Sequence, residues 1–183
     1  MQHHTTLLRR LRILCIASGM LMLGACSTLD RGEPPTIERQ ASWVVLPFAN
    51  HTETPLAGNR AEAIALALLH AQGVGKVQRY ESTAQQEALF DTADSKRQQD
   101  ALEWARERKA RYALAGAVDE WRYKVGVDGE PAAGVTLQII DVASGDILWS
   151  GTGGKSGWSR EALSAVAQKL IRDLLRFGLS GAR

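Results

Sequence analysis

The residues from Trp149 to Arg160, WSGTGGKSGWSR, put Gly154, Lys155 and Ser156 side by side just ahead of a helical pattern. That trio resembles the end of a phosphate-binding loop, in which backbone N–H groups wrap the phosphates and the lysine reaches the outer ones. The loop also needs a glycine five positions before Gly154, and Trp149 stands there. Its helix should begin at the lysine, whereas the pattern here begins at Ser159. The stretch is therefore read as a mobile glycine-rich loop that carries Lys155 and Trp158 outward, not as a nucleotide site.

Other residue types capable of chemistry are scattered. Asp119 and Glu120 are neighbours in a strand-like segment, so their side chains are expected on opposite faces and make no acid–base pair. No two carboxylates suggest the facing pair of a glycoside hydrolase. Ser144-Gly145-Asp146 reads as a turn, and no Gly-x-Ser-x-Gly nucleophile elbow occurs. His51 and His70 each stand alone, without the second histidine at zinc-ligand spacing. The two cysteines, Cys15 and Cys26, lie near the N-terminus, which leaves the rest of the chain without a thiol or a disulfide. These residues predict no enzyme, no metal and no cofactor.

The elements around them alternate. Ser42 to Phe48, SWVVLPF, is a short buried strand closed by Pro47. A helix follows over GNRAEAIALALLHAQG, with Ala61, Ile64, Ala65, Leu68 and Leu69 on one face and Gly73 at the stop. KVQRYES is a weaker strand, and two helical pieces, AQQEALF and QQDALEWARERKA, flank the polar DTADSKR. Tyr112 to Val127, Gly134 to Val142 and Asp146 to Gly151 form an antiparallel meander. The last helix carries Leu163, Val166, Ala167, Leu170, Ile171, Leu174 and Leu175 on one face, with Ser159 as N-cap and Gly178 as stop. This order predicts an α/β (α+β) sandwich, a mixed β-sheet with helices packed on it.

The N-terminus sets the compartment. Basic residues at Arg9, Arg10 and Arg12 precede an apolar run from Ile13 to Leu23, which is too short to span a bilayer and has the length of a signal-peptide core. Leu23-Gly24-Ala25-Cys26 then matches the lipobox of bacterial lipoproteins. Residues 1–25 are read as a lipoprotein signal peptide, Cys26 as the acylated mature N-terminus, 26–40 as a lipidated extended tether and 41–183 as a single α/β domain. Ser27, not Asp, follows the cysteine, which by similarity to Gram-negative lipoproteins points to the outer membrane. From Cys26 onward 19 basic residues face 20 acidic ones, so no basic excess advertises a nucleic-acid partner.

Tryptophan is unusually abundant, with five copies against three Phe and three Tyr. Trp43, Trp104, Trp121 and Trp149 fall on strands or a helix and suit core or interface duty. Trp158 lies among glycines with Lys155 and Arg160 beside it, an arrangement suited to a bilayer interface. The competing placement tucks it over the start of the last helix as a staple.

Together the lipobox, WVVLPFANHTETP, the alanine-rich helix and the hairpin VTLQIIDVASGDILWSG resemble the PelC family, outer-membrane lipoproteins of the Pel exopolysaccharide secretion system. GDILWS is also similar to the curli-channel-related lipoproteins and the TolB N-terminal domain. The resemblance implies a non-enzymatic ring of twelve subunits beside the β-barrel exporter PelB, with a tryptophan loop toward the membrane. An acidic face would guide a cationic exopolysaccharide during biofilm matrix export. Asp91, Asp94, Asp100, Asp119, Glu120, Asp128 and Glu130 are the candidates for that face. From Gly151 to Arg183 there are six basic and two acidic residues, against five acidic and two basic from Glu81 to Asp100, a split that could polarise the subunit. The alternative is a monomeric auxiliary or ligand-binding lipoprotein of a transporter.

Overall fold

The computed structural model describes residues 27–81, 92–126 and 129–183. Its strands are β1 (Ser27–Arg31), β2 (Ser42–Val45), β3 (Ala49–Asn50), β4 (Lys76–Arg79), β5 (Tyr112–Tyr123), β6 (Pro131–Asp141) and β7 (Ile147–Ser156). The helices are α1 (Ala57–Ala71), α2 (Thr92–Glu107) and α3 (Leu163–Gly178). All seven strands join one sheet in the order β1-β7-β6-β5-β2-β4, with β3 beside β5. Pairing is parallel around β2 and β3 and antiparallel through β5, β6, β7 and β1, so the mixed sheet and its meander are as expected.

Connection handedness decides which face each helix covers. From β2 the chain crosses to β4 on one side, then returns past β2 to β5 on the other. Right-handed crossovers in opposite directions put their helices on opposite faces. Accordingly α1 and α3 pack on the face carrying Trp43, Val45, Leu114, Val135, Leu137 and Trp149. The opposite face is covered over β2 and β5 by Ala101 and Ala105 of α2, against Val44, Leu46, Ala113 and Ala115. Over β6 and β7 that face keeps Thr136 and Gln138 half-buried and Ser150 and Thr152 exposed.

Helix ends follow local chemistry. Gly73 terminates α1 at φ 75, and the Val74 N–H returns to the Leu69 carbonyl at 3.1 Å. Ser159 is not the N-cap of the last helix. Ala162 holds that position with no side-chain cap, and the Leu163 N–H instead donates to the Tyr123 hydroxyl at 3.2 Å. Gly178 is the last residue of α3, and its missing side chain serves packing: a Cβ there would sit 2.9 Å from the Trp149 ring. DTADSKR does not break the second helical region, because α2 runs through it from Thr92. The piece AQQEALF lies outside the described residues.

The segment 27–40 is not a tether. Ser27–Arg31 pairs antiparallel with β7, whose outer N–H and C=O groups would otherwise lack partners. Leu29 packs against the core, and Ile37 is 2% exposed. The Arg39 guanidinium donates to the carbonyls of Gln72 at 2.7 Å and Leu179 at 3.0 Å, and Trp149 Nε1 donates to the Gly32 carbonyl at 3.2 Å. A composition too polar to form a core of its own still joins one when two apolar side chains and a free strand edge receive it.

Candidate functional site

Gly151 to Ser156 belong to β7, so the expected mobile loop is mostly strand. Trp149, Gly151, Gly153 and Lys155 alternate onto the α3 face. A Cβ on Gly151 would lie 2.6 Å from the Trp149 ring, and one on Gly153 would lie 2.6 Å from Leu29 and 2.9 Å from Leu170. These glycines make room for an aromatic ring and two leucines. Lys155 points the same way, with its Nζ 3.7 Å from Asp173 of α3, so it does not travel outward with Trp158.

Beyond the strand comes a pinned turn. The Gly157 N–H donates to the Pro131 carbonyl at 2.8 Å, and the Glu161 N–H to the Trp158 carbonyl at 2.9 Å. The Glu161 carboxylate accepts from the Trp158 N–H and from Lys169. The Lys169 hydrogen bond, with the backbone N–H of Trp158 adding to it, holds Glu161 below the usual carboxylate range. A side chain at 157 would strike both Glu161 and Val166 at 2.5 Å, and Arg160 adopts φ 72. The backbone is thus fixed while the indole of Trp158 stays 55% exposed. It does not serve as a buried staple.

Two further apolar side chains share this pole of the sheet. Tyr123 ends β5 opposite Pro131 and is 53% exposed, and Val125 in the following turn is fully exposed. Val125 was a legible signal overlooked in the sequence, since an apolar residue inside KVGVDGE has no core to serve. Ser27 is the Cα partner of Lys155, so β1 begins at the same pole. Cys26 lies outside the described residues, yet its peptide bond to Ser27 keeps the two Cα atoms about 3.8 Å apart. Among the described residues, no helix is long and apolar enough to cross a membrane.

The acidic candidates divide. Between β5 and β6 the register slips, with Val118 opposite Val135 but Glu120 opposite Gly134, so Asp119 is a bulged extra residue. The bulge overturns the expectation of opposite faces. Asp119 accepts from Thr136 Oγ1 at 2.9 Å and Glu120 lies over Gly134, both on the face that α2 leaves open. His51 Nδ1 lies 3.0 Å from Asp119 Oδ1, and Arg122 pairs with Glu120 at 2.9 Å. Thr136 shares the carboxylate and not the imidazole, so the chain does not have the connectivity of a nucleophile–His–Asp relay. No spacing signal links His51 to Asp119, because 68 residues separate them.

Thr52, Glu53, Thr54, Asp119, Glu120, Trp121 and Arg122 line an open cleft of about 480 Å³ here. It lacks the mostly apolar walls of a small-molecule pocket. Glu130 is exposed at the Tyr123 pole, and Asp100 lies half-buried on α2. Asp91 and Asp128 lie outside the described residues. Asp94 lies in the first turns of α2, with its side chain outside the described part.

Comparison with known proteins adds the relatives. The family profile of the peptidoglycan-synthase activator LpoB matches residues 37–154. The chain is similar to a PelC dodecamer from Paraburkholderia phytofirmans, at 43% identity over 86% of this chain and 99% of that one, with TM-score 0.70. A second PelC dodecamer from that organism is 42% identical over 86% of this chain and 100% of its own, with TM-score 0.71. Lipoprotein GNA1162 from Neisseria meningitidis shares the fold at 18% identity, covering 74% of this chain and 96% of that one with TM-score 0.55. No curated protein matches the chain.

Proposed function

Because the chain belongs to the PelC family of lipoproteins, within the wider LpoB family, we propose that it is a Pel-system lipoprotein that forms a ring under the outer membrane and assists exopolysaccharide export. Lipidation at Cys26 anchors it on the periplasmic side. The observation that carries this reading is the shared pole: the start of β1, the 55% exposed Trp158 and the exposed Tyr123 and Val125 all sit at one end of the sheet. A lipid on the residue before Ser27 and an indole just beyond the same end of β7 would meet one bilayer together. Two weak membrane signals of this kind anchor better than either alone. Arg160 shares the turn and can reach lipid phosphates, whereas Lys155 is committed to Asp173.

Self-association is supported by the two PelC dodecamers, and the ring is the arrangement proposed for this chain. In the ring, the polymer-facing field is a sum over subunits. Asp119, Glu120 and Glu130 supply it on the open sheet face and at the anchor pole, joined by Asp91, Asp94, Asp100 and Asp128. They would steer a cationic polymer toward the exporter PelB, and no step requires a reaction or a cofactor.

The test is genetic and biochemical. In the bacterium that encodes the chain, deletion should abolish surface exopolysaccharide, the wild-type gene should restore it, and Cys26→Ser should not. Full export by the Cys26→Ser chain, or its recovery in the outer-membrane fraction with unchanged mass, would overturn the proposal.

A further inference from the structure

Helix α1 departs from the pattern of the other two helices. The outward positions of α3 are Ser164, Gln168, Lys169 and Arg176, and those of α2 include Gln99, Glu103 and Arg106, as water-facing stripes should be. On α1 the outward positions are Arg60, Ala63, Ala67, His70 and Ala71, flanked by Ile64 and by Leu56, which is 58% exposed. Between Ala61 and Gly75 the only ionisable side chains are Glu62, which is 4% exposed and paired with Arg79, and His70. A helix apolar nearly all round is ordinarily covered on every side.

Geometry says from which direction the cover comes. This inference rests on the ring reading above. If every subunit points Ser27 and Trp158 at one membrane, the ring axis runs along the strands, and subunits meet only through lateral surfaces. A twelve-membered ring turns about 30° per subunit, so its two contact surfaces lie on nearly opposite flanks. The sheet has two such flanks: β4 with α1 at one end, and β1 with α3 at the other. On the first of these flanks the exposed charged side chains are Arg60 and, on β4, Lys76 and Arg79, and the α1 surface from Ala63 to Ala71 carries no Asp, Glu, Lys or Arg. We propose that the outer face of α1, centred on Ala63 and Ala67, is the subunit contact and seats against the β1 flank of a second copy of this chain. Alanines let the neighbour approach closely, while Leu56 and Ile64 give the contact its apolar bulk.

The experiment uses the full chain extracted in mild detergent, with the protein mass read by light scattering and fold by circular dichroism. Wild type should give an oligomer, and Ala67→Glu should give the mass of one chain with an unchanged melting curve. An oligomer of undiminished mass from folded Ala67→Glu overturns the inference and leaves the ring reading standing. A wild-type chain that is monomeric at tens of micromolar overturns the ring reading, and this inference with it. Should Ala67→Glu fail to fold, a photo-crosslinking benzoylphenylalanine at position 67 decides. An adduct of twice the chain mass, mapping to Ser27–Arg31 or α3, supports the contact. Adducts confined to one chain, such as to residues 82–91, or to another protein, overturn it.

Discussion

Two glycines three positions apart in β7 should respond oppositely to the same substitution. A Cβ at Gly151 would lie 2.6 Å from Cζ2 and Cη2 of Trp149 and 3.3 Å from Leu174. That ring cannot retreat freely, because it is 3% exposed and already packs on the backbone of Gly178. Overpacking of this kind costs about 1–3 kcal/mol. At Gly154 the nearest atom to an added Cβ is Thr28 Oγ1 at 3.5 Å, an ordinary contact on the open face. There Gly→Ala removes the entropic penalty of glycine in a strand, a gain of about 0.5–1 kcal/mol. Gly151→Ala should therefore lower the melting temperature by about 2–12 °C and Gly154→Ala raise it by about 1–4 °C, at about 2–4 °C per kcal/mol for a chain of this size. Urea titrations at one fixed protein concentration avoid confusing dissociation with unfolding. If both variants shift the same way, or Gly151→Ala is as stable as wild type, the packing argument fails and the glycines serve mobility after all.

Other outcomes follow from the same geometry. Trp158→Ala should cost less than about 2 kcal/mol in a urea titration, whereas Trp149→Ala, which empties the core, should cost about 3–5 kcal/mol. The Trp158 variant should also bind phosphatidylethanolamine–phosphatidylglycerol vesicles more weakly, and equal vesicle binding would count against the membrane role. Reversing Asp119, Glu120 and Glu130 together should impair export without lowering expression, and single reversals should do little, because steering is a summed field. Glu62 is raised above its ordinary value by desolvation, against the opposing pull of Arg79. The folded state then holds its proton longer than the unfolded chain, so this residue's contribution falls as pH rises from about 4.5 through the raised value. Glu62→Gln lacks that loss, and its stability relative to wild type should improve between pH 4.5 and 7 in paired urea titrations; a relative stability that falls over this range would refute the assignment.

Much of the fold could be read directly because its signals are local. The stripe from Val166 to Leu175 and the alternation through β5 and β6 are periodicities that the final packing preserves. Three features escaped because they depend on distant partners. STLDR carries one apolar residue, Leu29, and becomes a strand only because β7, more than a hundred residues later, offers it an edge. A glycine that clears space for Trp149 looks in sequence like a glycine that permits motion. Asp119 shares a face with Glu120 because one extra residue breaks the two-residue period, a slip that only the opposing strand reveals. For the site, Trp158 stood out by its surroundings, while the ion pair of Lys155 with Asp173 required knowing that α3 packs over β7.

The place of Ser27–Arg31 in the sheet has a mechanical consequence. Fourteen extended residues would have let the domain wander about 40 Å from a lipid on Cys26. With β1 zipped onto β7, a lipid on Cys26 would be one peptide unit from a seven-stranded slab. Under the proposed anchoring, height above the headgroups and tilt would be properties of each chain alone, fixed before any neighbour arrives. Subunits mounted this way would drift in two dimensions at a common level, right side up. The alignment that leashed subunits would have to achieve on meeting is built into the fold, and lengthening the join by a flexible insert after Cys26 should slow assembly on a membrane more than it weakens the finished oligomer.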